Sequence, residues 1–262
     1  MNALIGPFLG EFGYEVALWQ GAVRHYLESS LFDKVIVGCR KGHECLYELA
    51  TDFEYFTPTS NNTQAMCIDG RVPTFNSGII KRYNPCIIKG VCDITLEKQS
   101  SIKFGNSTTE YYYDVLFHVR NSTKYSTARR NWPIEKWKKL KEMLKGLKIG
   151  CIGTNQEAIH LEGTDNLRGY PLSLLADIMA SSKIVVGPSS GAMHLASFCG
   201  APHIVWCGKA IVPGGCNIRY RYETSWNPLK TKAIVVDDYG WNPPEDIIYN
   251  EIIKIIKKEK EC

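Results

Sequence analysis

The chain has 262 residues, 44% of them hydrophobic and 22% charged, enough to bury one large core or two small ones. A formal net charge of +4 is too mild to argue by itself for a nucleic-acid or membrane-surface partner. No apolar run approaches the roughly 18 residues of a membrane span, and "MNALIGPFLGEFG" lacks the basic and apolar regions of a signal peptide, so the expectation is a cytoplasmic protein with no membrane span.

Ten cysteines are scattered without any C-x-x-C pair, several of them in apolar runs such as "KIGCIGT" and "HIVWCG". They are expected to be reduced thiols that pack as small hydrophobes, and the sequons at Asn61, Asn106 and Asn121 read as chance.

In chain order, "ALIGPF" reads as a strand and "GEFGYE" as a glycine-punctuated acidic loop. "EVALWQGAVRHYLES" follows as a helix, with Val16, Trp19, Val23, Tyr26 and Leu27 at helical spacing, and "DKVIVGC" as a second buried strand. A strand, helix and strand in that order favour a parallel sheet with a helical crossover. "GHECLYE" sets His43, Glu44 and Cys45 side by side, but adjacent side chains project in different directions, so no metal site is expected there. From about 50 to 108 the pattern weakens. "TPTSNNTQ" and "DGRVPTFNSG" read as loops and "KFGNSTTEYYYD" as a linker.

The second half is more regular. "YYDVLFHVR" is a strand, and "NWPIEKWKKLKEMLKG" is a helix with Pro133 near its start and Gly146 past its end. "KIGCIGT", "KIVVGP", "APHIVWCG" and "KAIVVDD" are further strands. "PLSLLADIMASS", "GAMHLASFCG" and "PPEDIIYNEIIKIIKKEK" are helices. Five strands alternating with helices predict a doubly wound α/β domain over 109–262, after a first domain over 1–108.

"GPSSGAMHLASFCGAP", residues 187–202, begins with the G-x-S-x-G pattern of a serine nucleophile elbow. The only histidines after Ser189 are His194 and His203, and no Asp or Glu lies between Ser189 and either of them. A triad in the order Ser, acid, His is therefore excluded. A strand that runs into a helix N-terminus presents free N–H groups and the positive end of the helix dipole, which suits a phosphate. Gly191 permits close approach, and Ser189 and Ser190 add hydroxyls. Other strand ends supply Arg120, Thr154 and Glu157, and "TARRNWP" supplies Arg129 and Arg130, a set that suits a diphosphate. Plain packing of a tight turn stays open beside this reading. His118 and His194 likewise admit a buried, hydrogen-bonding role as well as a functional one. The tyrosines of "EYYYD" and "IRYRYETSW" either stack on a sugar or base or line an interface.

"RRNWPIEKW", "IGTNQE" and "GPSSGAMHLASFCGAP", in that order, resemble the C-terminal half of the heptosyltransferase-like, family 9 glycosyltransferases. The resemblance covers about residues 115–210 and matches Arg130 before "NWP", Glu157 after "GTN", and Ser190, Gly191 and His194 in "SGAMHL". It implies a GT-B fold, two Rossmann-like domains whose parallel sheets face a cleft, with a reduced N-terminal acceptor-side domain and a last helix that packs back on it. It further implies an inverting, metal-independent transfer of a sugar from a nucleoside-diphosphate sugar, with no cofactor. The family's proposed base is an Asp about nine residues before an Arg. Glu15 stands nine residues before Arg24 and Glu11 competes for the match, so one of the two inherits that role. The family's Asp before the T/S-G pair is Ser189 here. The implied acceptor is a glycan hydroxyl, with a hydroxymethylated pyrimidine of DNA as the alternative. A non-catalytic nucleotide-sugar-binding protein is the alternative of another class.

Overall fold

Four short stretches pair as a parallel sheet in the order β3-β2-β1-β4, from β1 (Asn2–Ile5), β2 (Lys34–Cys39), β3 (Asp52–Tyr55) and β4 (Cys86–Ile87). The computed structural model describes residues 2–6, 8, 10–29, 31–55, 86–87, 98–123, 128–208 and 218–258. The loops expected over 57–64 and 69–78 lie outside them. By its internal contacts the chain divides into two units, Met1–Ile102 and Lys103–Cys262.

In the first unit the helix starts earlier than the sequence pattern suggests. α1 (Phe12–Tyr14) begins inside the acidic stretch and continues through a π-helical turn, Glu15–Trp19, into α2 (Gln20–Glu28). The π turn closes with the Gln20 N–H on the Glu15 carbonyl, and the Gln20 amide returns to the Val16 carbonyl at 2.9 Å. Such single-turn insertions shift side-chain phase. Here Val16, Ala17 and Trp19 are buried, and so is Glu15. Hydrophobic periodicity alone could not anticipate a carboxylate on the buried side.

The second unit is a six-stranded, wholly parallel sheet: β5 (Val115–Phe117), β6 (Ile149–Cys151), β7 (Asp165–Asn166), β8 (Val185–Pro188), β9 (His203–Trp206) and β10 (Ala233–Val236). The order is β10-β9-β8-β5-β6-β7. Winding proceeds outward from β5 through β6 to β7, then restarts on the other side at β8. This is the Rossmann order, with its switch point between β5 and β8. Sequence reading gives five strands because β7 is polar and exposed, held by backbone pairing of Asp165 and Asn166 to Gly150 and Cys151 and by the Tyr113 hydroxyl, which donates to Asp165 Oδ2 at 2.9 Å.

The helices of this unit are α3 (Ile134–Met143), α4 (Leu172–Ala180), α5 (Gly191–Phe198), α6 (Ile218–Thr224) and α7 (Glu245–Lys258). Pro133 and Pro171 stand at the N-caps of α3 and α4, where a fixed φ and a missing N–H are harmless. α5 ends in a Schellman turn. The Ala201 N–H reaches the Ala196 carbonyl at 3.1 Å, and Gly200 takes φ +71°. The core gathers Trp132, Trp137 and Trp206 with centroids 4.9–5.5 Å apart, and Phe117 lies 5.0 Å from Trp137. Trp132 donates its indole N–H to the Pro243 carbonyl at 3.0 Å. The last helix, α7, packs on α3 and β9 through Ile248, Ile252 and Ile255, and Glu245 pairs with Lys139 at 2.9 Å.

The stretch read as a linker is tied down at its start. The N–H groups of Phe104, Asn106 and Thr108 bond to the Phe198 carbonyl, the Asp177 carboxylate and the Ser181 hydroxyl at 2.9, 2.7 and 2.9 Å. Residues 103–108 thus form a strap over α4 and α5, although their small polar composition reads as a break between domains. The described cysteine side chains, Cys39, Cys45, Cys151, Cys199 and Cys207, are free thiols. Among the described residues no helix is long and apolar enough to cross a membrane.

Candidate functional site

A doubly wound sheet takes its ligands outside the carboxyl ends of its strands, at the switch point. Two segments leave the sheet there: His118–Arg120 after β5 and Ser189–Ser190 after β8. The Ser189 N–H bonds to the Trp206 carbonyl at 2.9 Å, which extends the β8–β9 ladder by one step. Ser190 then turns the chain into α5 as an extended N-cap, and its carbonyl accepts the N–H groups of Met193 and His194. The Ser190 hydroxyl caps nothing. No acceptor for the Gly191 and Ala192 amides lies among the described residues, so the first turn of α5 keeps two donors and its dipole end free.

Around this turn lie four buried polar atoms with no hydrogen-bond partner among the described residues: Ser190 Oγ, His194 Nδ1, Arg130 Nε and the Tyr222 hydroxyl. The Tyr222 hydroxyl is set toward the Ser189 side chain, and its ring stacks on His194 with centroids 5.7 Å apart. Leaving such atoms unpaired away from water costs about 1–3 kcal/mol each, and native proteins keep few. Four at one turn concentrate unused hydrogen-bonding capacity there.

The electrostatics agree. His194 is boxed by Tyr222 and by Trp226, whose ring meets it edge-on at 4.4 Å. Burial, then the charges of His203, Arg221 and Arg130, push its pKa down to about 3. It is a neutral ring and takes up no proton near neutral pH. Arg221 lies over the Trp226 ring, 4.9 Å from its centroid. The Arg130 guanidinium lies 5.3 Å from the centroid of Trp241. Arg120 is aimed by Asn131, whose Oδ1 accepts its Nη1 at 2.7 Å and whose amide is itself held by Ser122 at both ends.

The sequence-chosen residues of this unit fall into two groups. Arg120, Arg130, Ser189, Ser190, Gly191 and His194 come together at the switch point. Thr154 and Glu157 sit in an exposed turn at the end of β6, where the Thr154 hydroxyl caps the Glu157 N–H at 3.1 Å and the Glu157 carbonyl receives the Asn121 N–H at 2.8 Å. Arg129 is exposed, with no partner among the described residues. His118 and His203 are buried hydrogen-bonding histidines. Burial pushes both down to about 4, and His203 is held by the Ala201 carbonyl at 2.9 Å and by Ser197 Oγ at 3.2 Å.

The acidic stretch of the first unit behaves differently. The Glu15 side chain is 2% exposed, and both of its oxygens are engaged. Oε1 accepts the Tyr47 hydroxyl at 2.9 Å. Oε2 accepts Arg40 Nη1 at 3.2 Å and lies 2.9 Å from His43 Nδ1. Burial and the Glu15 charge hold the Tyr47 phenol well above its usual pKa, so it stays a donor. Arg40 also reaches the Gly10 carbonyl at 2.6 Å. Arg40 and His43 follow the carboxyl end of β2, beside the end of β1. Glu11 starts the helix with its carbonyl, which accepts the N–H groups of Tyr14 and Glu15, and its side chain makes no cap. Arg24, the family-like arginine, binds Glu48 in a two-pronged pair and the Ser100 carbonyl at 2.9 Å, a buried structural role.

Sequence reading missed Arg40, His43 and Tyr47 as partners of Glu15, and Arg221, Tyr222 and Trp226 as walls around His194. "CRKGHECLY", directly after an apolar parallel strand, carried a usable signal for the first group. The second lies on α6 and just past its end, where the mixture of Arg and Tyr has no clear helical stripe. Among the described residues no group of three or more His, Cys, Asp or Glu side chains is placed to hold a metal ion.

No family model and no curated protein matches the sequence. Solved structures do. The E. coli ADP-heptose LPS heptosyltransferase II superposes with a TM-score of 0.61 at 13% identity, covering 99% of each chain. The E. coli heptosyltransferase WaaC with ADP superposes with a TM-score of 0.56 at 15% identity, covering 98% of this chain and 99% of that one. The chain has the heptosyltransferase fold. Within that GT-B fold each unit is a Rossmann-like layer built on a parallel sheet, and the switch-point turn and the Glu15 cluster each stand at the carboxyl ends of the strands of their own unit.

Proposed function

We propose that the protein is an inverting, metal-independent glycosyltransferase that moves a sugar from a nucleoside-diphosphate sugar to a glycan hydroxyl. The observation that carries this is the switch-point turn, where two amides and four buried polar atoms without a partner among the described residues gather with Arg120 and Arg130, at the place where a Rossmann-like sheet takes a nucleotide. The two superposable structures are named for ADP-heptose and for a complex with ADP, which supports a nucleoside diphosphate as the ligand class.

As the bond from the sugar to the diphosphate breaks, negative charge grows on the departing oxygen. Donors fixed in advance act on that charge without reorganising. The Gly191 and Ala192 amides and the α5 dipole supply one set, and Arg120 and Arg130 the other. These cations take the place a divalent ion would fill, so the reading needs none. Inversion requires a base for the acceptor hydroxyl, and the Glu15 cluster of the first unit supplies it.

A thermal-shift screen of the full chain against ADP, UDP and GDP and their sugars tests the reading. The matching donor is expected to raise the melting temperature, by the equivalent of about 2.7 kcal/mol at a hundred times its Kd. No shift with any of them overturns the reading. Salt-sensitive binding to duplex DNA would move the acceptor from a glycan to a DNA base.

A further inference from the structure

The buried state of Glu15 conflicts with its acting on an acceptor directly. A base must come within hydrogen-bond reach of the proton it takes. Both Glu15 oxygens are already occupied, by Tyr47, Arg40 and His43, in a side chain that is 2% exposed. His43 has the complementary arrangement. Its Nδ1 lies 2.9 Å from Glu15 Oε2, its side chain is 22% exposed, and its Nε2 has no partner among the described residues. Phe12 braces the ring edge-on with centroids 5.3 Å apart.

Resting on the donor reading above, we propose that His43 is the catalytic base and that Glu15 positions it, as a carboxylate–histidine dyad at the carboxyl ends of β1 and β2. The Glu15 carboxylate holds the proton of the neutral ring on Nδ1, which leaves the Nε2 lone pair toward solvent. In the transfer the acceptor oxygen bonds to the anomeric carbon and gives its proton to Nε2. The bond from that carbon to the diphosphate oxygen breaks, and its electron pair leaves with the diphosphate. The imidazolium so formed is paired with Glu15. This is the division of labour in which a buried acid fixes the tautomer and orientation of a histidine without itself taking the proton.

Other charges face the ring. Arg40 shares Glu15 Oε2 with the ring, and the Glu44 carboxylate lies near enough to interact with the ring's charge. Cys39 lies against the His43 backbone as a thiol pushed up to about 12 by burial, so it adds no charge at neutral pH. Tyr47 and Arg40 fill the remaining valences of Glu15 and keep it from turning outward.

The test has a readout that needs no substrate and one that does. Nitrogen-15 histidine spectra of the full chain should show neutral His43 protonated at Nδ1 and bare at Nε2, with that preference lost in Glu15→Gln. A His43 ring protonated at Nε2 in the native chain overturns the proposal. With the nucleoside-diphosphate sugar that gives the largest thermal shift, His43→Gln should keep the shift and lose at least a hundredfold in release of nucleoside diphosphate. It should also lose the acid limb of the kcat/KM profile. Glu15→Gln should lose roughly tenfold or more while keeping that limb, because His43 is still present. Wild-type turnover by His43→Gln, with the donor bound, overturns the dyad alone. Absence of any donor binding overturns the donor reading and the dyad with it. If His43→Gln does not fold, the tautomer in the native chain still decides.

Discussion

The Trp226 ring meets His194 edge-on with centroids 4.4 Å apart, closing off one side of a histidine that is 6% exposed. The same burial governs His118 and His203, and the three are held at about 4, 3 and 4 in the order His118, His194, His203. Each folded value lies below the ordinary 6.5, so between these values the unfolded chain binds protons that the folded chain does not. Stability therefore rises with pH across this window and is lost as pH falls from about 6.5 toward 4. Each histidine contributes up to about 1.4 kcal/mol per pH unit. Urea midpoints taken stepwise from pH 7 to pH 4.5 should fall steadily, and His203→Gln should flatten the slope by about one proton. A level midpoint through that range would sink the account.

Ser190 is the N-cap of α5, a position where losing a capping hydroxyl ordinarily costs about 1 kcal/mol. Its hydroxyl is buried, caps nothing and has no partner among the described residues. Ser190→Ala is therefore expected to leave the denaturation midpoint unchanged within about 0.5 kcal/mol, or to raise it. Affinity for the nucleoside diphosphate, measured by calorimetry, should fall by roughly fivefold to tenfold, one hydrogen bond's worth. A large loss of stability with unchanged affinity would return Ser190 to an ordinary capping role.

Much of the second unit was legible because its strands are apolar runs cut by Gly and Pro, and because α3, α4 and α5 start and stop on standard signals. The switch-point residues Ser189 to His194 were legible for the same reason: a turn between a buried strand and a helix has few conformations. What stayed hidden depends on tertiary pairing. β7 has no apolar signature at all. The phase change at the π turn buries Glu15, where a loop reading would have exposed it, and that burial brings in Arg40, His43 and Tyr47 from 25 to 32 residues away. No local window spans that distance.

The strap over 103–108 offers a stability test with a backbone cause. Gly105 takes φ +74°, and a Cβ there would collide with the Ala176 carbonyl of α4. Neither partner can give way, since one is strained backbone and the other is a helix carbonyl. Gly105→Ala should destabilise the second unit by about 3 kcal/mol or more, read as a lower urea midpoint and faster proteolysis near residue 105. By contrast Gly146→Ala, with φ +95° but nothing within 4 Å, carries only the backbone strain and should lose about 1 kcal/mol. Equal losses at the two sites would show that the strap is not packed as described.

Arg129 and Arg130 are neighbours in sequence with opposite surroundings, which makes them a controlled pair. Arg129 is exposed without a partner among the described residues. Arg130 is half-buried over Trp241 with a buried Nε that has no partner among the described residues, and its charge is felt by His194. A guanidinium held near a diphosphate in a water-poor setting makes charge-assisted bonds of about 1.5–3 kcal/mol, whereas an exposed one is screened by salt. Arg130→Met keeps the apolar stem over Trp241 and removes the charge. It is expected to weaken nucleoside diphosphate binding by roughly tenfold to a hundredfold with little change in the unfolding midpoint. Arg129→Met should stay within about twofold at physiological salt. Calorimetry of both variants at low and physiological salt decides between them. Equal effects would mean that the basic pair acts as a general field, and the assignment of Arg130 to the diphosphate would fall.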